Sequence, residues 1–208
     1  MRNMTNLLLG PLSYWLAAIM SISVSVAHAQ SDDPAENPRV LMKTTDGDIT
    51  IELFADKSPI TVENFLRYVN DGHYDGTVFH RVISNFMIQG GGFDTELKEK
   101  PTRDPIVNES KNKLHNTRGT LAMARTSDPD SATAQFFINQ RSNLRLDWSG
   151  GKDGYTVFGE VVDGMQLVDI ISLTDTGSAQ AQTTRGPTVF QDVPMQPIVI
   201  LSVTRLTP

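Results

Sequence analysis

The sequence predicts a mostly β protein whose strands close into a barrel accompanied by two helices. Three observations lead there. Short apolar runs recur at residues 77–82, 86–89, 119–124, 135–138 and 155–162, separated by Gly, Asn, Asp and Pro. Two stretches carry the spacing of a helix with an apolar face, i, i+3, i+4, i+7 from Val62 and i, i+3, i+6 from Met165. Many short strands with two helices point to closure, which removes unpaired edges.

Taken in order, residues 1–29 hold one cation, Arg2, an apolar or small stretch over 7–26, and Ala27-His28-Ala29 before Gln30. These are the marks of an export signal cut after Ala29. An uncleaved membrane anchor is the alternative, because the stretch approaches the roughly 20 residues that a spanning helix needs. Gly10-Pro11 and Ser13, Ser21, Ser23 and Ser25 weigh against a permanent span. Residues 30–38 are polar, acidic and Pro-bearing, a flexible lead-in, and the folded domain is expected over 39–208.

Residues 40–45 and 48–53 flank Asp46-Gly47 and read as a β-hairpin. Ile49, Ile51 and Leu53 alternate with polar residues, the pattern of a half-buried strand. Ser58-Pro59 opens the first helix, with serine to cap free amides and proline at the first helical position. Val62, Phe65, Leu66 and Val69 form its apolar face, and Gly72 stops it. His73 follows, where a cation suits the helix dipole. A second helix is expected over 163–172, capped by Asp163, with Met165, Val168 and Ile171 inward. Residues 174–197 read as a long polar surface loop, and 198–206 as the closing strand.

Composition excludes several functions. A chain of 208 residues fits one domain, and a monomer is expected. Net charge is −6, and basic residues are interleaved with acids, as in Lys98-Glu99-Lys100. Nucleic acid and anionic membranes need a basic patch, so neither is an expected partner, and no stable membrane insertion is expected once the signal is removed. The absence of cysteine excludes disulfides, thiolate metal sites and cysteine nucleophiles. Neither His-Glu-x-x-His nor Gly-x-Ser-x-Gly occurs, so metalloprotease and serine-hydrolase chemistry fit poorly, and no metal or cofactor is expected. Gly90-Gly91-Gly92 lacks the lysine of a phosphate loop and reads as a bulge or a close backbone approach.

The most informative segment is 79–93. Arg81 sits alone among apolar and β-branched residues, followed by Phe86, Met87, Ile88 and Gln89. Strand alternation turns Met87 and Gln89 one way and Ile88 the other. By the same rule Gln135 and Phe137 share a face, while Phe136 and Ile138 point into the barrel. An arginine, a thioether and an amide beside an aromatic ring hold and polarise a substrate; they do not attack one. His80 is expected opposite Arg81, as a buried, hydrogen-bonded residue. Taken singly, Arg81 reads as a surface arginine with a carboxylate partner. On the same terms Phe86, Met87, Phe137 and Leu146 read as plain core.

Phe79-His80-Arg81-Val82-Ile83, Phe86-Met87-Ile88-Gln89-Gly90-Gly91, Leu121-Ala122-Met123-Ala124-Arg125, Gln135-Phe136-Phe137-Ile138-Asn139 and Val157-Phe158-Gly159-Glu160-Val161 occur in this order. Together they resemble the cyclophilin-type peptidyl-prolyl cis/trans isomerases, over about residues 39–206. Residues 124–139 are similar to the periplasmic members found in Gram-negative bacteria. The resemblance implies an eight-stranded antiparallel barrel with a helix over each end and a prolyl groove on its outer wall. It implies Arg81 as the catalytic residue and Phe86, Met87, Phe137 and Leu146 as the proline pocket. Gln89, Ala124, Arg125, Thr126, Gln135 and Tyr155 would line neighbouring subsites, although Gln135 could equally satisfy backbone groups.

The substrates implied are unfolded or Pro-containing polypeptides outside the cytoplasm, in the periplasm, with no cofactor. Two departures stand out. Arg145 replaces an aromatic residue that helps many members bind cyclosporin, and Tyr155 stands where many carry histidine. A module that binds proline without turning it over is the competing reading. Arg81 separates the two, because binding needs the pocket but not the guanidinium.

Overall fold

The computed structural model describes residues 37–207. The expected export signal and most of the lead-in lie outside the described residues. Eight strands form the barrel: β1 (Arg39–Thr44), β2 (Gly47–Leu53), β3 (Thr77–Ile83), β4 (Met87–Asp94), β5 (Thr120–Met123), β6 (Phe136–Asn139), β7 (Val157–Asp163) and β10 (Val199–Leu206). They close in the order β1-β10-β3-β4-β6-β5-β7-β2, with every neighbouring pair antiparallel. Helices α1 (Pro59–Asn70) and α2 (Met165–Ile171) complete the expected set.

The core is the inside of this barrel plus the apolar faces of both helices. Val40, Met42, Ile49, Ile51, Leu53, Ile88, Leu121, Phe136, Ile138 and Phe158 are buried there with Phe65 of α1 and Val168 of α2. Phe65 touches the rings of Tyr74, Phe136 and Phe158 at centroid distances of 5.0, 5.9 and 5.3 Å.

The helix caps differ from expectation. Ser58 does not cap α1: its hydroxyl donates to the Val157 carbonyl and accepts from the Asn112 side chain. The free amides of Ile60 and Thr61 instead donate to the carboxylate of Glu109, an acid 48 residues from Thr61 that suits the positive end of the helix dipole. At α2 the capping position is Gly164, with φ +89; Asp163 ends β7 and accepts from the Gly164 amide. Gly72 does stop α1, in a left-handed conformation at φ +64.

Residues 174–197 are not a loop. They form a second hairpin, β8 (Thr176–Thr183) and β9 (Gly186–Pro194), docked against the outside of the barrel. Its turn, Thr183-Thr184-Arg185-Gly186, copies the first hairpin's Thr44-Thr45-Asp46-Gly47: in both, the leading threonine hydroxyl donates to the glycine carbonyl at 2.8 Å. Ala181 and Phe190 pack on Val78 and Phe93 beneath it. Backbone bonds between Gln182 and both Leu97 and Glu99 fix its far end.

The triple glycine is a close approach. A Cβ on Gly91 would sit 2.9 Å from the rings of both Phe136 and Tyr74, and its φ is +83. Gly91→Ala should therefore lose about 2–4 kcal/mol, from overpacking plus left-handed strain. Gly76→Ala, at φ +76 with open space around it, should lose only about 1–2 kcal/mol. Urea denaturation of both variants checks this; equal losses would mean that the ring contacts carry no cost.

Candidate active site

The site is a line of side chains running across five barrel strands. Register pairs Arg81 with Gln89, Gln89 with Phe137, Phe137 with Ala122, and Ala122 with Val157. All five lie on the outer face. The neighbouring line, Val82, Ile88, Ile138 and Leu121, points into the core. Met87, Ala122, Phe137 and Val157 form an apolar floor outside the barrel, flanked by Phe86, Leu146 and Tyr155. Cross-strand neighbours on one face have Cβ atoms about 5 Å apart, so the line spans a short stretch of extended polypeptide.

A bulge aims the arginine. Phe79 pairs with Gly90 and Arg81 with Gln89, so two steps on β3 match one on β4 and the extra residue is His80. Phe79 points inward against Phe136, at 6.3 Å. Arg81, two residues on, would share that direction in a regular strand, but the extra residue turns it outward. His80 does not lie opposite Arg81 as expected: it lines the groove beside it and packs on Phe93 and Phe190. Among the described residues its Nδ1 has no hydrogen-bond partner.

The groove has a volume of about 750 Å³. Arg81, Phe86, Met87, Gln89, Ala124, Arg125, Gln135, Phe137, Leu146 and Tyr155 all line it. Thr126 does not; it lies in the adjoining cavity, with Ser127, Pro129, Arg145 and Lys152. The opposite wall comes from the β8–β9 hairpin, residues 183 and 185–192, which sequence reasoning missed. The repeated Thr-Thr-x-Gly turn was the available signal.

Each remaining wall residue is held. Gln89 donates to the Gln135 side chain at 3.0 Å. Arg125 spends its guanidinium on the carbonyls of Gly154, Thr126 and Asp153, and stacks on the Tyr155 ring at 4.6 Å. Tyr155 meets Phe137 edge-on at 5.6 Å. Arg145 covers the Phe86 ring at 4.8 Å, on the other flank of the pocket.

Leu146 ends a short 3-10 turn, Leu144–Leu146, fixed from below by an amide network. Asn143 donates to the Phe86 carbonyl and to Asn139, and Asn139 donates to Asn116. Asn116 donates to Asp147. Burial opposes charge on Asp147, but bonds from Asn116 and His115 outweigh it and hold the carboxyl below its usual range.

Burial favours the neutral form of two histidines, His80 in the groove and His73 outside it. Burial pushes His80 down to about 4. His73 is not a dipole-stabilising cation: burial lowers it as well, and its Nε2 contacts the Gly91 carbonyl. Among the described residues no cluster of three or more His, Asp or Glu could hold a metal. The barrel side thus offers the Arg81 guanidinium, the paired amides of Gln89 and Gln135 and an apolar floor, while Glu99 and, from the hairpin, Arg185, Gln191 and Asp192 also line the groove. Its shape and lining suit a short stretch of extended polypeptide.

Comparison with known proteins agrees. Residues 39–205 match the family model for cyclophilin type peptidyl-prolyl cis-trans isomerases. A peptidyl-prolyl cis-trans isomerase of Acinetobacter baylyi is 55% identical over 80% of this chain and 85% of its own length. Isomerase B of Escherichia coli is 53% identical over 79% and 98%. Isomerase A of Dickeya dadantii is 46% identical over 90% and 94%. Among solved structures, a Cryptosporidium parvum cyclophilin superposes with a TM-score of 0.66 at 24% identity, covering 83% of this chain and 99% of that one. The chain belongs to the cyclophilin-type peptidyl-prolyl cis/trans isomerases, and it is an enzyme of that activity acting on Pro-containing peptides.

His80 supplies a pH test. In the unfolded chain its imidazole takes a proton near pH 6.5; in the folded protein it does so only near 4. Between these values the unfolded state binds the extra proton. Its contribution is therefore complete above pH 6.5 and is lost as pH falls toward 4, up to about 3 kcal/mol. His80→Gln should flatten the pH dependence of the urea midpoint across this window; identical slopes would contradict a buried neutral imidazole.

Proposed function

We propose that Arg81 accelerates rotation about Xaa-Pro bonds by stabilising the twisted amide, and that the substrates are exported polypeptides. The planar amide resists rotation by about 18–20 kcal/mol, and uncatalysed exchange takes about 10–100 s. An acceleration of about 10⁵ needs only about 7 kcal/mol of preferential transition-state binding. No bond need be made or broken for that.

As the bond twists, resonance is lost and the prolyl nitrogen gains a lone pair. A guanidinium directed at that nitrogen, or at the adjacent carbonyl, favours the twisted state over both planar ones. The apolar floor of Phe86, Met87, Phe137 and Leu146 grips the ring while the preceding peptide unit turns. Gln89, Gln135, Ala124 and Tyr155 hold the flanking backbone, and Arg125 braces Tyr155. Thr126 would meet a residue farther along the chain. The observation carrying this reading is the half-exposed Arg81 side chain in line with Gln89 and Phe137 across three strands.

A protease-coupled assay on an Ala-Pro peptide tests it. Arg81→Ala should lower kcat/KM by about 10²–10³-fold, the usual loss for a preorganised donor. Arg81→Lys should recover little, since a point charge lacks the planar fork. Equal rates for wild type and Arg81→Ala would remove the arginine from the mechanism.

The export reading rests on residues 1–29, with Ala27-His28-Ala29 ahead of the cut, and its destination is the periplasm; the monomer reading rests on the single-domain length. N-terminal sequencing of the protein recovered from that compartment should start at Gln30; a start at Met1 would argue for a retained anchor.

A further inference from the structure

The hairpin wall does more than narrow the groove. β9 carries a bulge where Gln191 and Asp192 face Ser178 alone: Gly177 pairs with Val193 and Ala179 with Phe190. Asp192 is left-handed there, at φ +60. Aspartate tolerates this conformation better than most residues, though less well than glycine. The bulge brings the carboxylate to the groove, where Oδ2 lies 3.8 Å from Nε of Arg81. Both terminal nitrogens of Arg81 remain without a partner among the described residues.

We infer that Asp192 is a positioning residue for Arg81, an inference that rests on the catalytic reading of that arginine. An arginine on an open barrel wall has several rotamers to lose before its fork can face a twisting amide. An anion at the inner nitrogen selects those that leave both outer nitrogens directed at the substrate. In open water the pair is weak, because solvent screens two half-exposed groups. A bound polypeptide excludes that water, so the pair strengthens when the orientation is needed.

The carboxylate can hold the arginine only if its own backbone is held. Phe190, two residues away, packs edge-on against Phe93 at 4.9 Å and lies tilted against His80, the neighbour of Arg81, at 5.8 Å. Ala181 across the hairpin is fully buried. Gln191 accepts from Ser178, closing the bulge. The same bulge-and-anchor arrangement occurs on both sides of the pair, at His80 in β3 and at Asp192 in β9.

The test compares kcat and KM on an unlabelled Ala-Pro peptide, followed by exchange NMR, for wild type, Asp192→Asn, Asp192→Gly, Arg81→Ala and Asp192→Asn with Arg81→Ala. Asparagine and glycine both suit the left-handed backbone, so neither should disturb the hairpin. Each should lower kcat by about 3–10-fold with KM within about twofold of wild type, as expected for a misdirected group. Asp192→Asn should have no further effect once Arg81 is alanine. Unchanged or raised kcat in Asp192→Asn and Asp192→Gly would overturn the inference. An equal loss on adding Asp192→Asn to Arg81→Ala would also overturn it, by assigning the effect to the fold. If Arg81→Ala itself retained the wild-type rate, the catalytic reading would fail first, and the two failures are told apart.

Discussion

The site depends on one geometric constraint, the two-residue alternation of a pleated strand, interrupted once. Because β4, β6 and β5 keep their register, Gln89, Phe137 and Ala122 fall on one outer line while Ile88, Ile138 and Leu121 fill the core behind them. β3 alone departs from it. Without the extra residue at His80, either Phe79 would leave its contact with Phe136 or Arg81 would turn into the barrel. Burying an unpaired guanidinium there would be far more costly than one irregular ladder position. The bulge lets a single strand satisfy the core and the groove within three residues.

The same economy runs through β4. Gly90, Gly91 and Gly92 allow the strand to pass between core rings on one side and Gln135 on the other; a Cβ at Gly92 would lie 2.5 Å from the Gln135 side chain. That close passage keeps Gln135 within reach of Gln89, so the two amides sit side by side along the groove. Core packing and site geometry are therefore one problem here. The rings that exclude a side chain at Gly91 belong to Tyr74 and Phe136, and Phe136 is flanked in sequence by two groove residues, Gln135 and Phe137.

Regular periodicity made most of this legible from the sequence. Alternation placed Ile49, Ile51 and Leu53, and it placed Met87 and Phe137 on the outer face, because a half-buried strand writes its orientation into every second residue. Features needing a distant partner were not legible. The first turn of α1 is capped by Glu109 rather than by the adjacent Ser58, and nothing near residue 58 announces an acid 51 positions later. Alternation alone puts His80 opposite Arg81, whereas the bulge turns both to the groove, and a bulge has no composition of its own. The β8–β9 hairpin read as a loop because its residues lie on the barrel exterior, where alternation between buried and exposed positions is weak. Its turn was written as clearly as the first one.

A catalyst that only eases a rotation has little margin for looseness, since its whole effect is a difference in contact between planar and twisted forms of one peptide. Barrel strands supply fixed positions for Arg81, Gln89 and Phe137, but Arg125, Leu146 and Tyr155 come from connecting segments. Those three are fixed by other means. Arg125 bonds three backbone carbonyls, Tyr155 is clamped between Arg125 and Phe137, and Leu146 stands on the Asn116–Asn139–Asn143 network, whose last member also holds the Phe86 carbonyl. Read alone, Arg81 resembles a surface arginine with a carboxylate partner, and Asp192 does supply that partner. The ordinary reading and the proposed catalytic one therefore start from the same contact, a half-exposed ion pair at the edge of the groove.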